Sequence, residues 1–273
     1  MYNKILVTTD CIKDSLPSSI NLPKIGIILG SGLSNLVNIV EHKFEIDYKD
    51  IPNFPLTTVE GHDGKLVFGK INGVDVLLMK GRFHYYEGYS MRQITFPIHI
   101  MKHLGVEKLI VSNASGGVNK SFQAGDLMII NDFINFMGDN PLIGINDDRL
   151  GERFPDMTEP YSLELIKKAK EVGDKLGITY KEGVYMAFTG PNYETSAEIK
   201  FVSTIGGDAV GMSTVPETLV ANYLNMEVLG ISCVTNMATG IQTVKHSHEN
   251  VMKIAEKSSE TFCKWVCELL KEI

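Results

Sequence analysis

Short apolar runs that end abruptly in glycine or small polar residues alternate along this chain with segments of helical periodicity. No other feature constrains the fold as much. "KIGIILG" (24–30) and "KLIVSNASGG" (108–117) read as strands buried on both faces, because their apolar residues are continuous rather than alternating. "KLVFGKINGVDVLLMKG" (65–81) reads as a hairpin turning at Asn72-Gly73. "GDLMIINDFINF" (125–136) and "EGVYMAFTGPNYET" (182–195) give further strands, and 208–240 reads as strand, helix, strand. Helices are expected to begin at "LSNLVNIV", to fill 91–105, to form the amphipathic "SLELIKKAKEVGDKLG" (162–177), and to close the chain after Ser247. Ser247 is the expected N-cap, with Glu249 in the first turn and Val251, Ile254, Phe262, Trp265 and Leu269 on one face. Strands alternating with helices imply an α/β fold with a largely parallel sheet covered on both sides. With no linker and no internal repeat, 1–273 reads as one domain. The segment 140–157, "NPLIGINDDRLGERFPDM", is a long charged loop, and such loops in compact domains are functional or lie at interfaces.

Charge and composition narrow the function classes. The net charge of −7 argues against a broad electrostatic grip on nucleic acid or an anionic membrane, so any phosphate must be held by a local site. No stretch approaches the roughly 20 apolar residues of a membrane span, and the first residues do not read as a signal peptide. Cys11, Cys233, Cys263 and Cys267 form no CxxC pair, and reduced thiols in a cytoplasmic protein are the expectation.

The loops after the strands carry the chemistry, since ligands collect at the carboxyl ends of strands in open α/β sheets. "GSGLSN" (30–35) offers Ser31 and glycine N–H groups ahead of a helix, which suits an anion. It is neither a dinucleotide fingerprint nor a P-loop, and a lone GxG more often marks a simple turn. "SNASGG" is a second small-residue turn of the same kind, and "GHDG" (61–64) places His62 between glycines. His99 and His103 stand four apart but lack the glutamate of HExxH and a third ligand, so they read as two surface histidines. There is no Gly-x-Ser-x-Gly, no histidine-rich context for a cysteine nucleophile, and no aspartate cluster for a hard cation. A chain with phosphate-friendly loops and no nucleophile of its own points to phosphate as the nucleophile, with no metal and no cofactor.

Taken together and in order, "GSGLSN", "GHDGKLVFG", "GRFHYYEGY", "SNASGGVN", "ERFPDM", "GPNYETSAE", "GMSTVPE" and "TNMATG" closely resemble the trimeric purine nucleoside phosphorylases. The resemblance runs from about residue 24 to the C-terminal helix. It implies a mixed, barrel-like twisted sheet flanked by helices, a homotrimer, and reversible phosphorolysis of purine nucleosides to base and (deoxy)ribose 1-phosphate. By the same resemblance Ser31, His62, Arg82, His84, Ala114 and Ser213 hold phosphate. Tyr86 and Met212 flank the ribose, and His248 meets its 5′-hydroxyl, with His246 a second candidate. Tyr193, Glu194 and Asn236 bind the base, and Phe154 enters the neighbouring subunit's site. Asn236, Glu194 and His84 are the implied catalytic residues. Tyr193 departs from the phenylalanine of many relatives.

These residue types form a coherent set. Arg82 is a permanently charged planar fork, and the hydroxyls of Ser31 and Ser213 add neutral hydrogen bonds. Asn236 suits N7 of a leaving purine, and Glu194 suits the N1–H of a 6-oxopurine such as inosine or guanosine. A methylthioadenosine phosphorylase would carry aspartate at 236, a calcium-dependent hydrolase an aspartate cluster that Asp47 and Asp50 do not make, and a binding protein would keep the pocket without turnover. Within "GRFHYYEGYS", Glu87 reads either as a partner that holds His84 or as a solvated turn residue, and Tyr85 and Tyr89 read as packing.

Overall fold

The structure is a computed structural model that describes residues 1–58 and 63–273. In chain order the elements are α1 (Tyr2–Ser15), β1 (Ile25–Ile28), β2 (Glu41–Asp47), β3 (Lys65–Ile71), β4 (Val74–Lys80), α2 (Met91–Ile94), α3 (Phe96–His103) and β5 (Lys108–Gly117). There follow β6 (Leu127–Asn135), α4 (Leu163–Leu176), β7 (Tyr180–Ala187), α5 (Ser196–Thr204), β8 (Ala209–Gly211), α6 (Val215–Tyr223), β9 (Glu227–Met237) and α7 (His248–Leu269). Among the described residues, nine strands form one sheet in the order β2-β3-β4-β1-β5-β8-β7-β6-β9, and β9 pairs back onto β5. The last five strands in that order therefore close into a barrel, while β1 to β4 extend as an open wing.

Five of the nine pairings are parallel, including β1 with β4 and β5, and β5 with β9 along ten residue pairs. Ile27, Leu78, Leu109, Ile110, Val111, Leu229 and Ile231 are all inaccessible to solvent, as the continuous apolar runs require of doubly covered strands. The wing's hairpin turns where Asn72 (φ 51) and Gly73 (φ 81) both take the left-handed region that a tight two-residue turn demands. Trp265 on α7 is fully buried, and its indole N–H donates to the Ala169 carbonyl of α4 at 2.8 Å. Ser247 caps α7, accepting from the Asn250 N–H at 3.2 Å.

Several expectations need correction. "LSNLVNIV" forms a short 3-10 turn, Ser34–Ile39, before β2 rather than an α-helix. The helix expected over 91–105 is broken at Thr95, and Pro97, which has no N–H to give, sits in the first turn of α3. The strand expected over 182–195 ends at Ala187, leaving 188–195 as a loop at the cavity. His99 is not a surface residue: it is buried, and desolvation, followed by nearby positive charge, lowers its pKa to about 4. The N-terminal helix α1 adds to the expected elements; Ile5 and Ile12, two turns apart on one face, are buried in the core.

Candidate active site

A cavity opens where β1, β4, β5, β8 and β9 end, at the position expected for a ligand in an α/β sheet. Ser31, Arg82, His84, Tyr86, Ala114, Tyr193, Glu194, Met212, Ser213, Asn236, His246 and His248 all line it. Segments more than 200 residues apart in sequence thus converge on one space. His62 lies outside the described residues. Phe154 does not line this cavity; it is 85% exposed on the 140–157 loop, with the Arg153 guanidinium 5.5 Å from its ring centroid.

One end of the cavity is built from buried polar groups. Arg82 follows β4 and is 2% exposed. Its Nη1 donates to Thr214 Oγ1 at 2.9 Å, its Nη2 donates to the Ser112 carbonyl, and Glu217 Oε1 lies 3.7 Å from Nη1. Thr214 Oγ1 also accepts from Asn113 Nδ2 at 2.8 Å, and Asn113 Oδ1 accepts from Ser232 Oγ at 2.6 Å. Thr214 itself has φ 74 and ψ −47, and the Val215 N–H reaches the Ser213 carbonyl at 2.8 Å. This is a γ-turn of the strained form, in a β-branched residue, and such strain persists only where the surroundings over-determine it. Here the fixed Thr214 hydroxyl receives both Arg82 and Asn113, and the turn presents Ser213 to the cavity.

His84 is held from behind. Glu87 Oε1 accepts from the His84 backbone N–H at 2.6 Å and lies 3.1 Å from its Nδ1, while Oε2 accepts from the Thr58 N–H at 2.9 Å and hydroxyl at 2.6 Å. Of the two readings of Glu87, the partner of His84 is therefore the one observed. Burial opposes charge on Glu87, but the bonds from His84 and Thr58 outweigh it and hold the pKa at about 2. Burial pulls the His84 pKa down, against the Glu87 hydrogen bond, which favours a neutral ring with Nδ1–H on Glu87. The Tyr86 ring stacks on His84 at 4.7 Å. Tyr85 and Tyr89 are structural, Tyr89 donating to the Leu56 carbonyl at 2.8 Å.

The glycines of "GSGLSN" serve packing more than anion binding. The Gly30 N–H is already spent on Ser112 Oγ at 3.1 Å, and a Cβ at Gly30 would come within 2.6 Å of Asn113 Cα. A Cβ at Gly32, where φ is 74, would strike Ala255 of α7 at 2.4 Å.

The other end is carried by loops and is more open. Glu194 is 8% exposed, and burial pushes its pKa up. Tyr193 is 40% exposed and packs on the His246 ring at 5.0 Å. Asn236, at the end of β9, accepts from Thr235 Oγ1 at 3.1 Å. Glu217 was not legible as a site residue, although a carboxylate in the otherwise apolar first turn of α6 was its available signal.

The phosphorylase superfamily model matches residues 24–271. The purine nucleoside phosphorylase 1 of Bacillus subtilis is 56% identical over 266 residues, covering 97% of each chain. That of Geobacillus stearothermophilus is 55% identical over 262 residues, covering 96% of this chain and 94% of its own. The chain belongs to the purine nucleoside phosphorylases of the phosphorylase superfamily. A crystal structure of Schistosoma mansoni purine nucleoside phosphorylase with inosine superposes with a TM-score of 0.93 at 39% identity, covering 99% of this chain and 96% of that one. The barrel-like sheet with flanking helices is that of the family, and phosphorolysis of purine nucleosides, a pentosyl transfer, is the activity of this chain. No helix among the described residues is long and apolar enough to cross a membrane.

Proposed function

We propose that phosphate binds at the Arg82–His84 end of the cavity and a 6-oxopurine nucleoside spans from there to the Glu194–Asn236 end. The observation that carries this reading is the convergence of a buried cation with a carboxylate–carboxamide pair on one cavity. Phosphate lies against Arg82, His84, Ser31, Ser213 and the Ala114 segment, with His62 as a further ligand. The ribose lies beside Tyr86 and Met212 with its 5′-hydroxyl toward His248, and Tyr193 lies along the purine. The inosine held by the schistosome enzyme belongs to the same substrate class.

Phosphate oxygen attacks C1′ as the C1′–N9 bond breaks, and the electron pair of that bond passes to the purine. The Asn236 carboxamide donates to N7 as negative charge develops there, and Glu194 accepts from N1–H. Phosphate charge opposite the leaving base stabilises the cationic ribose, so the catalysis is positioning with electrostatic stabilisation. No step is routed through a metal or an organic cofactor.

In the same reading the protein works as a cytoplasmic homotrimer, each Phe154 completing a neighbour's site. Ile143, Ile145 and Phe154 on the long loop are all well exposed, which suits burial against another copy. The test is base release from inosine, guanosine, adenosine and methylthioadenosine with and without phosphate. Turnover of inosine and guanosine that requires phosphate is expected, and Asn236→Asp should move activity toward adenosine. Base release without phosphate, or a base preference unmoved by that substitution, would overturn the reading.

A further inference from the structure

The segment between β9 and α7 holds a chain of side chains whose hydrogen-bond senses are fixed one by one. Gln242 Oε1 lies 3.1 Å from the Met237 backbone N–H, which can only donate. Gln242 Nε2 lies 2.8 Å from the Val244 carbonyl, which can only accept. The orientation of the Gln242 amide is therefore set by backbone alone, and its nitrogen is a donor. That nitrogen is also 3.1 Å from His246 Nδ1, so Nδ1 must carry a lone pair rather than a proton. The remaining ring nitrogen, Nε2, then bears the hydrogen and donates to Thr239 Oγ1 at 2.9 Å.

One N–H of Asn236 Nδ2 meets the same bare Nδ1 at 3.2 Å, and the other faces the Met237 carbonyl at 3.3 Å. Facing an acceptor, the carboxamide must present its NH2 group and not its oxygen. The oxygen faces the Thr235 hydroxyl on the other side at 3.1 Å, sharing its proton with the Ser115 carbonyl at 3.2 Å. The Tyr193 ring packs on His246, and desolvation lowers the imidazole's pKa, which favours the neutral ring. Were Nδ1 protonated, its N–H would face two amide NH2 groups, and the Asn236 amide would have to turn to offer oxygen. Arg82, His84, Tyr86, Tyr193, Glu194 and His248 are the titratable groups that share the cavity wall with it.

We propose that His246, backed by Gln242, is a positioning residue that holds one N–H of the Asn236 carboxamide, so that the other, released from its long contact to the Met237 carbonyl, is the donor offered to the base. The proposal rests on the reading that Asn236 contacts the purine. It gives His246 a role other than the 5′-hydroxyl contact: it sets which nucleobase edge the site accepts, an edge bearing an acceptor that gains negative charge on leaving.

The experiment is steady-state kinetics with inosine and phosphate for the full-length enzyme, His246→Phe, His246→Gln, Asn236→Ala and the double variant His246→Phe/Asn236→Ala. Phenylalanine keeps a ring against Tyr193 but removes the acceptor. Losing the bond that fixes the amide should lower kcat/KM for inosine about tenfold, with KM for phosphate unchanged. Glutamine, which can again accept from Asn236, should recover most of that loss. In the Asn236→Ala background His246→Phe should cost nothing more, because the two act through one contact. Additive losses in the double variant, an equal rise in the phosphate KM, or no effect of His246→Phe would each overturn the proposal. If Asn236→Ala itself keeps full inosine turnover, the reading of Asn236 as a base contact fails instead, so the two failures are told apart.

Discussion

The two ends of the cavity are built on different principles. The Arg82 end is a network of buried groups carried by strand ends and a strained turn, in which Arg82, Thr214, Asn113 and Ser232 bond to one another. The Glu194–Asn236 end is carried by loops, with Tyr193 40% exposed and a relay running through Gln242 and His246. Under the proposed function, the difference follows from what each end receives. An anion taken out of water needs partners already in place, because low dielectric penalises every unpaired charge or dipole there. A planar base is recognised by its edges and faces, so a few oriented amides, a carboxylate and a ring suffice, and these can ride on loops.

The contrast predicts that changes at the first end cost fold stability as well as turnover, while changes at the second cost turnover alone. The largest effect is expected for Glu217→Ala, which leaves the Arg82 charge buried without its carboxylate. It should lower unfolding free energy by about 3–5 kcal/mol in a denaturant titration; a loss confined to phosphate kinetics would break the comparison. Gly30→Ala should cost about 1–3 kcal/mol, because the new Cβ meets backbone of β5 that cannot move aside cheaply. The same titration reads it.

A pH series sharpens the comparison at Glu87. Its folded pKa of about 2 lies below the ordinary 4.5, so its contribution is full above pH 4.5 and fades as pH falls toward 2. The melting temperature of Glu87→Gln should therefore sit below that of the parent at neutral pH and approach it in acid. A gap that persists unchanged at pH 3 would sink the assignment. The smallest effect is expected for Tyr193→Phe at the open end. Losing a partly exposed hydroxyl should change stability by less than about 0.5 kcal/mol and leave the ring packed on His246. A large rise in nucleoside KM would instead mark that hydroxyl as a direct contact.

Much of the site was legible because chemistry constrains residue type at loop positions. Ser31, Arg82, His84, Glu194 and Asn236 were found from motifs in order, and the structure gathers them at one cavity. The partners behind them were not legible. Glu217 and Thr214 sit inside a quoted motif, yet nothing in "GMSTVPE" says that the threonine takes a positive φ or that the glutamate turns toward Arg82. His99 was misread for the same reason, since i,i+4 spacing places two side chains on one helix face without saying which way that face points.

The sequence by itself determined the alternation of buried strands and helices, the hairpin at Asn72-Gly73, the cap at Ser247 and the polar loops that end the strands. These depend on local propensity and on periodicities of two and 3.6 residues, which a chain carries before it folds. Only the tertiary structure decided that the sheet closes by pairing β9 onto β5, that Gly30 and Gly32 are there for packing, and that Gln242 sets the tautomer of His246. Those outcomes depend on which groups share a dry space. Burial makes each unmet hydrogen bond costly, so the partners fix one another's orientation only once the fold has brought them together.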